Sequence, residues 1–171
     1  MNLHHHAEQV DSFLKRSICK GWLFGFRERN LLGTAGTLRG IQPNLENSGP
    51  IMVIHADNWS HCDLGQFLNF HKKLRPAKTV ISMMTFETDI PRQCGITKLD
   101  ESGKLVQFYE KVNNPPGTRA NAAIYIIEPE VIDWLKLPPK ISDFSTEVIP
   151  NYLGRIACWH HDGLHRDIGT F

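Results

Sequence analysis

Two aspartates occupy settings in which a carboxylate can hold a cation. Asp57 comes just after the apolar run Ile51-Met52-Val53-Ile54, and Asp167 stands in His165-Arg166-Asp167-Ile168-Gly169-Thr170 behind another strand-like segment. In open α/β sheets, ligands bind beyond the carboxyl ends of strands. A hard cation such as Mg²⁺ takes one or two protein carboxylates there and completes its shell with water and substrate phosphates. Asp57 reads equally well as the cap of a following helix, and Asp167, taken singly, as a turn residue. The pair is more informative than either member.

Three further groups offer polar chemistry. Gly33-Thr34-Ala35-Gly36 is a glycine-bracketed turn, and glycine, lacking Cβ, lets a base or phosphate approach the backbone closely. The turn has neither the lysine of a P-loop nor the full spacing of a dinucleotide fingerprint. Glu110-Lys111 joins a carboxylate able to accept hydrogen bonds from sugar hydroxyls to an ammonium able to hold a phosphate. A solvated strand end is the competing reading. Asn121 can bind a hydroxyl or satisfy a turn. The nine histidines form no metal-ligand pattern: Gly163 breaks a helical pairing of His161 with His165, and no cysteine stands at zinc-site spacing. The G-x-S-x-G elbow of nucleophilic hydrolases is absent.

The chain of 171 residues is 41% hydrophobic and 22% charged, with 19 Lys+Arg against 18 Asp+Glu. That length suffices for the core of one domain, and the composition excludes wholesale disorder. A net charge of +1 gives no general pull toward nucleic acid or an anionic membrane. Cys19, Cys62, Cys94 and Cys158 lie far apart without a C-x-x-C pair, which argues against a zinc ribbon and points to reduced thiols in the cytoplasm. No apolar run approaches the roughly 20 residues of a membrane span, and no signal-peptide pattern opens the chain. Neither end has the polar, Gly/Pro/Ser-rich character of a natural tail, so a single domain over 1–171, incomplete at both ends, is expected.

The elements that must position these groups alternate. A helix is predicted over 6–17, with Val10, Phe13 and Leu14 on its inner side, then an aromatic strand over 22–27. A short helix follows the 33–36 turn, and 41–50 is loop-like, with Pro43, Asn44, Asn47, Gly49 and Pro50. The 51–54 run suits a strand buried on both faces. Next come a helix over 63–74 ended by Pro76, a strand over 78–86, and a hairpin of 95–99 with 104–108 turning at Asp100-Glu101-Ser102-Gly103. The series closes with a strand over 120–127, a helix over 129–135 opened by proline, a helix to Leu153 capped near Asp143, and a strand over 155–160. This alternation defines an α/β class with a mixed sheet.

Read together, these segments resemble the sugar-1-phosphate nucleotidyltransferase family, and within it the guanylyltransferases acting on mannose 1-phosphate or a manno-heptose 1-phosphate. Asn2-Leu3-His4-His5-His6 is similar to the family's segment after its second strand, which makes the histidines native sequence. Leu32-Gly33-Thr34-Ala35-Gly36 resembles the L-G-T-A-G of the nucleotide pocket. Asp57 matches the aspartate of a strand-end G-D, with Ala56 at the glycine. Gly95-Ile96 with Phe108-Tyr109-Glu110-Lys111 resembles the sugar-site hairpin, and Asn121-Ala122-Ala123-Ile124-Tyr125 resembles N-A-G-I-Y with Ala123 at the glycine. Asp143-Phe144-Ser145 with Val148-Ile149-Pro150 resembles the D-x-S…V-I-P helix, and 166–170 resembles the segment carrying the second metal-binding aspartate, with His165 where an aromatic is common.

The resemblance implies a Rossmann-like mixed sheet flanked by helices, of the nucleotidyltransferase or GT-A type. It implies a reaction in which a sugar 1-phosphate attacks the α-phosphate of a nucleoside triphosphate, with GTP indicated, and pyrophosphate leaves. Asp57 and Asp167 would hold Mg²⁺, and Lys111 would hold the sugar phosphate; these three are the expected catalytic residues. Leu32, Gly33, Thr34, Ala35 and Asp57 would line the nucleotide pocket, and Gly95, Glu110, Lys111 and Asn121 would contact the sugar. One departure is large: the family's G-x-G-x-R…P-K loop, which wraps the triphosphate, has no counterpart in the 171 residues. An N-terminally truncated domain with impaired transfer is therefore expected, alternatively a non-catalytic sugar-phosphate-binding or regulatory module. Loss of a central strand would leave pairing groups open and favour a homo-oligomer.

Overall fold

In the computed structural model the described residues are 1–41 and 49–169. The loop expected at Pro43, Asn44 and Asn47 and the end of the Asp167 motif at Thr170 lie outside them.

The central sheet has six strands: β3 (Ile51–Ile54), β5 (Ile81–Glu87), β6 (Gly95–Leu99), β7 (Leu105–Glu110), β8 (Arg119–Ile127) and β9 (Ile156–His160). The order is β7-β6-β8-β5-β9, and β3 pairs with β8 beside β6. The pairing of β5 with β9 is parallel and the rest are antiparallel, so the sheet is mixed as expected. Alternation along β8 and β5 divides two cores. Tyr125, Ile127, Ile81 and Met83 face one side, where α2 (Thr34–Ile41), α4 (Pro129–Leu135) and Phe144, Val148 and Ile149 cover them. Ala122, Ile124, Ile126 and Met84 face the other, covered by Phe67 of α3 (Leu64–Asn69), which continues as a π-helical turn, Phe70–Leu74. Helices on both faces bury what would otherwise be two apolar surfaces. A second π-helical turn, Phe144–Val148, runs into α5 (Ile149–Asn151), with the Asp143 side chain accepting from Thr146 N–H.

Two small ladders flank the sheet. β1 (Asn2–Leu3) pairs in parallel with β2 (Phe26–Arg27) around α1 (Ala7–Leu14), and β4 (Asn58–Ser60) pairs antiparallel with β10 (His165–Asp167).

Three expectations are corrected. β3 is not buried on both faces: Ile51 and Val53 pack on the first core, while Met52 and Ile54 are 36% and 45% exposed. The helix α3 covers β8 and β5 and leaves that face of β3 bare. The aromatic strand over 22–27 shrinks to Phe26–Arg27, with Trp22 and Phe24 at the surface, because only these two residues find a partner strand. Phe13, expected inward, is exposed and stacks under the Arg16 guanidinium instead.

Candidate active site

β3 and β6 share one edge of β8 and part company at a bulge. Ile54 pairs with Ile124, and Ile96 with Ala120; between them the β8 register against β5 shifts and Ala123 adopts φ 52°. The bulge thus separates the end of β3 from the start of β6 along one edge of β8. Asn121 staples the bulge: its Oδ1 accepts from Ala123 N–H at 3.0 Å, and its Nδ2 donates to Tyr125 Oη at 2.6 Å. Tyr125 is fully buried, which pushes its phenol pKa upward.

On the β3 side of the bulge the two aspartates converge. Asp167 Oδ1 accepts from Gly169 N–H at 2.8 Å, and Asp57 O accepts from Ile168 N–H at 2.8 Å. A Cβ on Gly169 would stand 2.8 Å from Asp57 Oδ2 and 3.2 Å from Asp167 Oδ1, so both carboxylates border one small cradle that only glycine leaves open. Among the described residues, no third His, Cys, Asp or Glu joins them. Two carboxylates without a thiolate or imidazole suit a hard cation that keeps its other positions for water and phosphate.

On the other side, Gly95 and Glu110 are strand partners, and the Glu110 carboxylate lies over Gly95. Burial raises the Glu110 pKa, Lys111 opposes that, and the charge of Asp143 adds to it. Lys111 turns out of β7 at φ 48° with its Nζ 3.9 Å from Glu110 Oε1 and largely exposed. A lysine in the left-handed region is strained, and such strain concentrates at functional positions.

The L-G-T-A-G turn presents a different picture. Ser142 O accepts from Ala35 N–H at 2.9 Å and Gly36 N–H at 3.3 Å, and Thr34 Oγ1 accepts from Phe144 N–H at 2.7 Å. Leu32 N–H donates to Glu28 Oε2 at 3.2 Å. These groups are engaged within the fold and tie α2 to the 142–144 turn. Glu28, a 5% exposed carboxylate, also accepts from Thr37 Oγ1; in the sequence its one signal is an acid between Arg27 and Arg29 ahead of that turn. Asp143, beside Glu110, and the β4–β10 ladder were missed as parts of the site.

The mixed α/β sheet with helices on both faces is the fold of the nucleotidyltransferases it superposes on. The nucleotidyl transferase family model matches residues 2–171, and the chain belongs to that family. Mannose-1-phosphate guanylyltransferase of Mycobacterium tuberculosis is 31% identical over 147 residues, covering 84% of this chain and 40% of that protein. Glucose-1-phosphate adenylyltransferase of Ruminiclostridium cellulolyticum is 27% identical over 148 residues, covering 79% of this chain and 34% of that protein. The chain thus spans about two fifths or less of the curated relatives it matches. The crystal structure of HddC from Yersinia pseudotuberculosis superposes with a TM-score of 0.80 at 20% identity, over 99% of this chain and 72% of that one, which establishes the fold. A complex of HddC with GMP-PN superposes at 0.77.

Proposed function

We propose that the chain carries the metal and sugar-phosphate half of a sugar-1-phosphate guanylyltransferase, whose reaction joins GTP to mannose 1-phosphate or a manno-heptose 1-phosphate. The observation that carries this reading is the convergence of Asp57 and Asp167 at Gly169, across the β8 bulge from Glu110 and Lys111. Guanine rests on relatives named for guanylyl transfer and on the HddC complex with GMP-PN.

In this reading Asp57 and Asp167 hold Mg²⁺, which when bound neutralises charge spreading over the phosphates. Lys111 draws the sugar phosphate toward the bulge as a mobile point charge. Glu110, half-buried, accepts from sugar hydroxyls and so orients the ring, while Asn121 supports that wall through the bulge. Aligning the phosphate oxygen with the α-phosphorus lowers the barrier by orientation alone. The sugar-phosphate oxygen bonds to the α-phosphorus as the bond from that phosphorus to the bridging oxygen of the β-phosphate breaks, and pyrophosphate leaves.

Transfer by this chain is proposed to be weak, because no G-x-G-x-R occurs in its sequence and the Ala35 and Gly36 amides of the G-T-A-G turn are engaged by Ser142. The same observation favours a second reading, a sugar-phosphate-binding module without turnover. Incubation with GTP, Mg²⁺ and mannose 1-phosphate tests the first: trace GDP-mannose is expected, and robust formation overturns the impairment. Pairing between two copies along the edge of β3 that no strand among the described residues covers is part of the proposal, as is a reducing compartment such as the cytoplasm, supported by four free cysteines. No helix among the described residues is long and apolar enough to cross a membrane.

A further inference from the structure

We propose that Asn58 is a positioning residue of the metal site, a side chain that ties both aspartates to the sheet. The inference rests on the reading of Asp57 and Asp167 as metal ligands. Asn58 follows Asp57 in the chain and is the strand partner of Asp167 in the β4–β10 ladder. Its Nδ2 donates to Ala122 O at 2.8 Å, within the β8 bulge. One residue further along, Ala123 O accepts from His55 N–H at 3.2 Å, and Asn58 N–H closes the turn onto His55 O at 3.2 Å. The 55–58 turn is therefore strapped at both ends to two successive carbonyls of the bulge. Of these straps, only the Asn58 amide is a side-chain contact open to substitution.

The chain of causes runs from Asn121, which shapes the bulge, through Ala122 O to Asn58, and from Asn58 to both carboxylates. Asp57 is carried by its backbone and Asp167 by the ladder, with Ile168 N–H donating to Asp57 O as the cross-link. Carboxylates that share a hard cation need separations fixed to tenths of an ångström, and outer partners of metal ligands typically govern affinity by about 10–100-fold. A hydrophobic or β-branched residue at position 58 would keep the ladder and lose the strap.

The test compares the wild-type chain with Asn58→Ala, Asp57→Asn and the control Asn151→Ala. Asn151 makes a comparable bond, Nδ2 to Glu147 O at 2.7 Å, on another element. Mn²⁺ binding is followed by the electron paramagnetic resonance of the free ion, alone and with GTP, and amide exchange is followed over 55–58 and 165–169 without metal. Asn58→Ala is expected to weaken Mn²⁺ binding about tenfold and to speed exchange in both segments, with Asn151→Ala unchanged in both readouts. Exchange equal to wild type in Asn58→Ala overturns the strap. Faster exchange with unaltered Mn²⁺ affinity reduces Asn58 to a structural residue and overturns the positioning role. Absence of Mn²⁺ binding by the wild type, or undiminished binding by Asp57→Asn, defeats the metal reading itself, and the inference falls with it.

Discussion

Glu110 Oε2 occupies the space beside Gly95 that a side chain would need: a Cβ on Gly95 would stand 2.6 Å from that oxygen and would collide with the Phe108 ring. The glycine of one strand thus decides where the carboxylate of its partner strand can point. Replacing Gly95 by Ala is expected to displace Glu110 and Phe108, lower stability by about 1–3 kcal/mol and weaken mannose 1-phosphate binding. Thermal unfolding and titration calorimetry on one variant check both, and unaltered affinity would separate Gly95 from the site.

The left-handed Ala123 and Lys111 make opposite predictions for function. Ala123→Gly relieves a strained backbone and should stabilise by about 1 kcal/mol with sugar-phosphate binding kept. Lys111→Gly should retain or raise stability and abolish binding, because it removes the ammonium along with the strain. Urea unfolding beside calorimetry distinguishes the two.

Asn121→Ala leaves Tyr125 Oη and Ala123 N–H in the interior without this side chain's bonds. Loss of a partner for buried polar groups costs about 1–3 kcal/mol, and a lowered urea midpoint is the expected result. Crystallographic or NMR data should show the 121–123 bulge altered, since the Asn121 carboxamide bonds across it.

A pH-dependent stability follows from His71. It is 1% exposed, with Nδ1 on Ser82 Oγ at 2.8 Å and Nε2 near Glu128 Oε1 and Arg75. Burial and then the Arg75 charge lower its pKa below 6.5, against the opposing pull of Glu128. The unfolded chain therefore binds the proton more readily, and stability falls as pH drops through and below 6.5. His165, lowered chiefly by burial, adds to the slope in the same window. The urea midpoint should decline from neutral toward acid pH, and His71→Gln should flatten that decline in part; an unchanged slope would remove His71 as its source.

Much of the fold was legible in the chain because local rules and burial agreed. Pro129 and Asp143 mark element starts, Asp100-Glu101-Ser102-Gly103 marks a hairpin, and the strands expected over 78–86 and 120–127 lie at Ile81–Glu87 and Arg119–Ile127. Three features were not legible. The apolar run 51–54 gives no sign that one face will be left bare, since coverage depends on where α3 lands. The β4–β10 ladder joins residues more than a hundred positions apart in short polar strands that carry no periodic signal. The G-T-A-G turn reads as a ligand cradle, yet its Ala35 and Gly36 amides bond to Ser142, a tertiary contact that no local pattern encodes. The residues proposed for the site stand out by type, spacing and family resemblance; their distribution on the two sides of the β8 bulge comes from topology.

The most direct test of the account is calorimetric titration of the wild-type chain, Lys111→Ala and Asp57→Asn with mannose 1-phosphate in the presence of Mg²⁺, and separately with GTP. The account predicts measurable sugar-phosphate binding by the wild type, its loss in Lys111→Ala, and weak GTP binding that Asp57→Asn weakens further. Sugar-phosphate binding that is absent in the wild type, or unaffected by Lys111→Ala, would contradict it.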